Sequence, residues 1–277
     1  MEFAVGIVAR LWRGVWLAGL LTLVASGVSF AEDASSTRLE GTSSEAAKEA
    51  ARRSIPWGKL GPQDQRTARF LVRNHSVYRR LPTTSVRCEP EVFTFLAQRP
   101  EVVAGIWQLM GVSRLEVDRT SATTFDAVDH AGTRGALRVM HADWSDDDAQ
   151  NRVVLFAEGL YEAAPLPRPI RAHSLLVLHS SSTTDHAGRP VVTARLDTFI
   201  RFERATADLI AKTLQPLIHR TADHNFVETM KFASTFSQTA KQNPDGLARL
   251  ATKIEGIDQP TRDGLIRLCH ATGERRR

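Results

Sequence analysis

The stretch VVTARLDTFIRFERATADLIAKTLQPLIHRTADHNFVETMKF, from Val191 to Phe232, decides the fold, because the apolar period changes inside it. Up to Phe202 the period is two. Val192, Ala194, Leu196, Thr198, Ile200 and Phe202 fall on one side; Val191, Thr193, Arg195, Asp197, Phe199 and Arg201 fall on the other. That pattern describes a strand with one covered and one wet face. After Arg204 the period becomes helical, with Thr206 as the cap, and it runs to about Thr239. Pro216 lies inside this run and predicts a kink. Asn243, Pro244 and Gly246 end it. An apolar sheet face and an apolar helix stripe bury themselves by packing on each other.

Upstream, RLEVDR, TTFDAVD, GALRVMHADW, RVVLFAEGLYE and HSLLVLHSS read as strands, rich in branched and aromatic residues. DHAG occurs twice, at Asp129 to Gly132 and Asp185 to Gly188, each time between strand patterns. Asp caps such a turn and Gly supplies the positive φ. Strands joined by short turns are antiparallel. APLPRPI cannot be a central strand, since its prolines lack donors. VYRRLPTTSVRC reads as a first strand interrupted near Pro82. EPEVFTFLAQ and RPEVVAGIWQLMG each open with Pro then Glu, a helix start, and Gly111 closes the second. The predicted class is α+β: a curved antiparallel sheet of about six or seven strands gripping a long C-terminal helix, with helical extensions at both ends.

At the N-terminus, Arg10 and Arg13 precede the apolar run VWLAGLLTLVASGV, followed by small residues at Ser29 and Ala31. This matches an export signal over residues 1–31, cleaved after Ala31. The run is short for a membrane span, which wants about 20 apolar residues, and an uncleaved anchor is the alternative. Either way the expected place of action is outside the cytoplasm, in the periplasm or cell envelope. Residues 32–61 read as a flexible linker, nearly free of large apolar side chains up to Ser54, with a weakly helical end at SEAAKEAARR. Pro62 opens a helix through Phe70, Leu71 and Val72. The main domain is placed at 62–242 and a C-terminal helical extension at 243–277. Export permits a bridge between Cys88 and Cys269; two buried thiols are the other reading.

The chain has 277 residues and a net charge of +5, with Arg and Lys scattered and dense only in the terminal GERRR. Scattered charge gives no binding stripe, so no nucleic-acid partner is expected. His219, Asp223, His224 and Glu228 crowd ten residues and raise the question of a metal. On an ideal helix His219 points within about 20° of the apolar centre and Asp223 about 60° to its side, whereas His224 and Glu228 point about 160° away. A zinc site needs ligands converging on one point. No metal is expected; local pairing of His219 with Asp223 and of His224 with Glu228 is. The aspartates of SDDD, Ser145 to Asp148, lack EF-hand spacing. No Gly-x-Ser-x-Gly elbow, phosphate loop or dinucleotide fingerprint occurs, so no cofactor and no catalytic set is assigned.

Trp107, Phe125, Trp144, Phe156, Tyr161, Phe199, Phe202, Phe226 and Phe232 are spread over helix, sheet and long helix. Together they suit an apolar chamber between sheet and helix. The element order resembles the helix-grip superfamily: START lipid-transfer domains, birch-pollen-allergen-like proteins, and polyketide cyclase and coenzyme-Q-binding relatives. The likeness covers about Val77 to Thr239, on EVFTFLAQRPEVVAGIWQLMG, VVTARLDTFIRF and TADLIAKTLQPLIHRTADHNFVETMKFAS. It implies a binder or carrier of a hydrophobic or amphipathic small molecule, lipid-like, held between sheet and helix. Trp107, Met140, Phe156, Thr198, His219 and Phe226 are the expected ligand-binding residues, with Arg138 a further inward polar group. Two alternatives stand: a cell-envelope interaction protein with a filled core, docking on a membrane surface through its basic tail or N-terminal linker, or a cyclase- or hydrolase-like enzyme using His219.

Overall fold

A computed structural model describes residues 37–129, 133–144, 150–162, 169–206, 209–210 and 214–274. The export signal, most of the first DHAG turn, the SDDD loop, most of APLPRPI and the last three arginines lie outside the described residues.

In chain order the elements are β1 (Thr37–Leu39), α1 (Glu45–Ser54), a short 3-10 turn (Trp57–Lys59), α2 (Pro62–Asn74), β2 (Val77–Arg80) and β3 (Thr83–Arg87). Then come α3 (Pro90–Gln98), α4 (Pro100–Leu109), β4 (Leu115–Arg119), β5 (Thr124–Asp129), β6 (Thr133–Asp143), β7 (Asn151–Tyr161), β8 (Ile170–Thr184) and β9 (Pro190–Phe202). The chain continues through α5 (Gln215–Gln242), α6 (Pro244–Ala251) and α7 (Gln259–Glu274). The fold is α+β, as its sequence pattern implies.

The sheet has nine strands in the order β1-β3-β9-β8-β7-β6-β5-β4, with β2 also on β9, and every pairing is antiparallel. It exceeds the expected six or seven for two reasons. The segment interrupted at Pro82 forms two strands, both paired to β9, and three residues of the supposed linker add β1. The β8–β9 turn is built as its DHAG implies: Asp185 Oδ1 accepts from the Ala187 and Arg189 amides at 2.9 and 3.0 Å, and Gly188 has φ +70°.

α5 buries Ile218, Ala222, Phe226, Met230, Ala233, Phe236 and Ala240, one residue every three or four positions. Opposite stand Val153, Leu155, Leu176, Leu178, Val192, Ala194 and Leu196, joined by side chains of α3, α4 and α7. α5 is pinned along β2 and β3: Arg79 grips the Asp223 carboxylate, Ser234 Oγ donates to Arg87 O at 2.7 Å, and Ser237 Oγ accepts from Glu89 N at 2.9 Å. Thr206 Oγ1 accepts from Leu209 N at 3.3 Å, so it caps a turn as expected. Pro216 falls in the first turn of α5, and the backbone at Ile210 and Leu214 just before it is π-helical, so the helical run is irregular where the proline stands. Cys88 and Cys269 are both buried free thiols, and burial pushes each up to about 12.

The second face of the sheet is not wet. Val154, Leu175, Val177 and Phe199 form another core with Tyr78, with Ala47 and Ala51 of α1, and with Ala68, Leu71 and Val72 of α2. The residues read as the end of a linker are therefore a packed helix. Ser44 caps it by accepting from Ala47 N at 3.3 Å. Its small alanines let its backbone lie close to the sheet, so it needs no large apolar side chains to dock.

Candidate functional site

The six residues expected to line one chamber are divided between the two faces. Trp107 and Phe226 belong to the core beneath α5, with Trp107 edge-on to Phe232 at 5.6 Å. Met140 and Phe156 belong to the core beneath α1 and α2. The bulge between Val139 and His141 shifts the register of β6 at Met140. Arg138 lies over Phe156 at 5.9 Å and pairs with Asp64 of α2 at 2.7 Å. Thr198 is buried and donates to Arg79 O at 2.9 Å, a bond within the sheet. No single cavity can therefore be lined by all six.

His219 is half-buried near the start of α5, its Nε2 3.3 Å from Ser43 Oγ. Burial and the Arg79 charge hold its pKa below the usual imidazole value. The expected His219–Asp223 pair does not form, because Arg79 takes both Asp223 oxygens, one at 3.0 Å. Gly41 leaves room for this pair; a Cβ there would sit 2.5 Å from the Asp223 carboxylate. A serine–histidine contact without an orienting carboxylate lacks the third member of a nucleophilic triad. Glu228 pairs with Lys231 at 3.2 Å rather than with His224. Among the described residues no three His, Cys, Asp or Glu side chains converge as metal ligands.

Under the middle of α5 the described side chains leave no room for a ligand. Phe226, Met230, Ala233, Leu155, Val153 and Leu196 have no accessible surface. A side chain with none touches neither solvent nor a void that could hold water. At these positions protein atoms fill the space that the sequence reading assigns to a small molecule.

The polar chemistry lies on the other face. Asp197 is wholly buried on β9 and accepts from Tyr78 Oη at 2.7 Å and from Arg80 Nε at 2.8 Å; Arg195 Nε stands 3.4 Å away. Burial and the Asp197 charge push the Tyr78 hydroxyl well above its ordinary value, so it stays a donor. Arg80 also donates to Ala47 O at 3.1 Å, and His179 Nε2 meets Ser54 Oγ at 3.1 Å, so both ends of α1 are tied to the sheet. Burial, then the Arg195 charge, lowers the His179 pKa to about 4.

Outside this layer α1 and α2 frame an open cleft of ≈ 820 Å³, lined by Glu49, Arg52, Arg53, Trp57, Arg69, Val72 and Arg73. The Arg69 guanidinium lies over the Trp57 ring at 4.7 Å, and Trp57 Nε1 donates to Arg52 O at 3.2 Å. Glu49, the only acid in the lining, pairs with Arg52 and Arg53 at 3.4 and 3.5 Å. Between Glu45 and Asn74 there are seven Lys or Arg and three acidic residues, so the surrounding surface shares the sign of the cleft. Sequence reasoning missed this site because its arginines come from a supposed linker and from a separate helix.

The fold thus defines an α+β class: a curved antiparallel sheet with a long C-terminal helix, compatible with a helix-grip arrangement and carrying an added helical layer. No protein-family model matches the chain, and no curated protein matches it.

Proposed function

We propose that this protein is an exported, non-catalytic interaction module of the cell envelope, related to helix-grip lipid-handling proteins such as the START and polyketide cyclase group. It docks on anionic phospholipid surfaces through the α1–α2 cleft. The observation that carries this reading is the cleft itself, where four guanidiniums face one carboxylate in an open concavity. Arginine is weakly hydrated and forks onto phosphate oxygens, which suits headgroups. Phe70, half-exposed on α2 outside the cleft lining, lies under the Arg201 guanidinium at 4.9 Å and adds an exposed aromatic on the same helix. The filled space beneath the middle of α5 favours contact with headgroups over extraction of a whole lipid.

Sedimentation with vesicles tests the proposal. The protein should bind vesicles rich in phosphatidylglycerol and not those of phosphatidylcholine, and binding should fade as salt is raised. Each basic residue near an anionic surface contributes about 1 kcal/mol, so R53Q together with R73Q should lower partitioning about thirtyfold. Equal binding to neutral vesicles, or capture of nucleic acid in preference to vesicles, would overturn it.

A further inference from the structure

A second basic site lies on the sheet, apart from the cleft. Arg152 on β7 pairs in register with His179 on β8, and His179 pairs in register with Arg195 on β9. All three lie on the face that α1 covers, in the register shared by Val154, Val177 and Phe199. Neighbouring strands are about 4.8 Å apart, so the two arginine backbones stand about 9.6 Å apart with the imidazole between them. Two side chains of that length can close on one small ion from either side.

The row has more donors than acceptors. The Nε atoms of Arg152 and Arg195 are both buried and make no hydrogen bond, and Arg152 also has no ion pair among the described residues. The carboxylate nearest Arg195 is Asp197, whose Oδ1 accepts from Tyr78 and Arg80 and whose Oδ2 stands 3.4 Å from Arg195 Nε, an ion pair longer than a good hydrogen bond. The carboxylate opposite Arg152 is Asp143, which is held by Lys59. Among the described residues no acid lies within ion-pair distance of Arg152. Leaving a buried N–H donor without a good acceptor costs free energy, and a bound anion supplies that acceptor while the partly exposed guanidiniums stay within reach of it. His179 cannot supply it, since its Nε2 is committed to Ser54.

We propose that the Arg152–His179–Arg195 row binds one tetrahedral oxyanion of the phosphate type, bridged between the two guanidiniums. The same chemistry is offered by inorganic phosphate and by the phosphomonoester of a larger molecule. This inference does not depend on membrane docking.

Calorimetric titration of the full chain with inorganic phosphate and with phenyl phosphate tests it. Inorganic phosphate should bind with one-to-one stoichiometry. The affinity should fall tenfold or more in R152Q and in R195Q, and should be unchanged in the R53Q/R73Q variant. Tighter binding of phenyl phosphate would identify an ester as the ligand; equal binding would identify the free anion. Absence of phosphate binding, or equal affinity in R152Q and the parent, would overturn the proposal. R152Q carries the test should R195Q fail to fold, because Arg152 supports no buried carboxylate. Loss of vesicle binding in R53Q/R73Q with phosphate binding intact would separate the two sites.

Discussion

At the scale of single residues, Asp197 and His179 hold the sheet to the helix above it. Asp197 is the buried carboxylate that accepts from both Tyr78 and Arg80. Replacing it with asparagine leaves Arg80 and Arg195 unmatched and should cost about 3–5 kcal/mol, read as a lower urea midpoint. His179 sets an acid limit. Its folded pKa of about 4 lies below the ordinary 6.5, so the unfolded chain binds the extra proton first. Stability from this group is complete above about pH 6.5 and is lost as pH falls towards 4, a change of roughly 3 kcal/mol. Arg195, Arg152, Arg80 and Asp197 surround it, and Ser54 meets it from α1. His75, His141 and His219 are also lowered, mainly by burial, and add to the same trend. His179→Gln should therefore flatten, without abolishing, the loss of unfolding free energy between pH 7 and pH 4.5. An unchanged slope would show that His179 is not buried in its neutral form.

At the scale of elements, the clearest difference between sequence and structure is α1. Its composition, SEAAKEAARR, matches that of solvated chain because alanine carries little apolar area. What the composition hides is position: Ala47 and Ala51 fall on one helical face and are buried against the sheet. Ala51→Leu should overpack that contact and cost about 1–3 kcal/mol, whereas Ala46→Leu on the exposed side should change stability by less than about 0.5 kcal/mol. Equal, negligible effects on thermal unfolding would return the segment to a linker. The strands and the long helix were legible because their periods of two and 3.6 are strong local signals. Element ends were less so: Pro216 reads as a kink from its place in a long apolar run, yet it sits in the first turn of α5.

For the whole molecule, one signal in the sequence announces the two-faced sheet. VVLF at Val153 to Phe156 and LLVL at Leu175 to Leu178 do not alternate, and continuous apolar runs mark strands buried on both sides. β9 alone, with Arg195 and Asp197 on its second face, suggests water where there is a helix. The arginine cleft could not be read from local pattern, since Arg52, Arg53, Arg69 and Arg73 meet only after α1 and α2 pack side by side. Phe226→Ala beneath α5 should destabilise by about 3–5 kcal/mol in urea, as a closed core requires. A cost near zero would point to an open chamber there.

The proposed docking puts lipid against the α1–α2 side and not beneath α5. After residue 31 the chain has three tryptophans: Trp57 in the cleft, Trp107 against Phe232 in the core, and Trp144 packed on that same core. Their indole N–H signals in a proton–nitrogen NMR spectrum report both locations in one titration with phosphatidylglycerol bicelles. With docking at the cleft, the Trp57 signal should shift while those of Trp107 and Trp144 stay in place. Movement of Trp107 and Trp144 with Trp57 unchanged would contradict it.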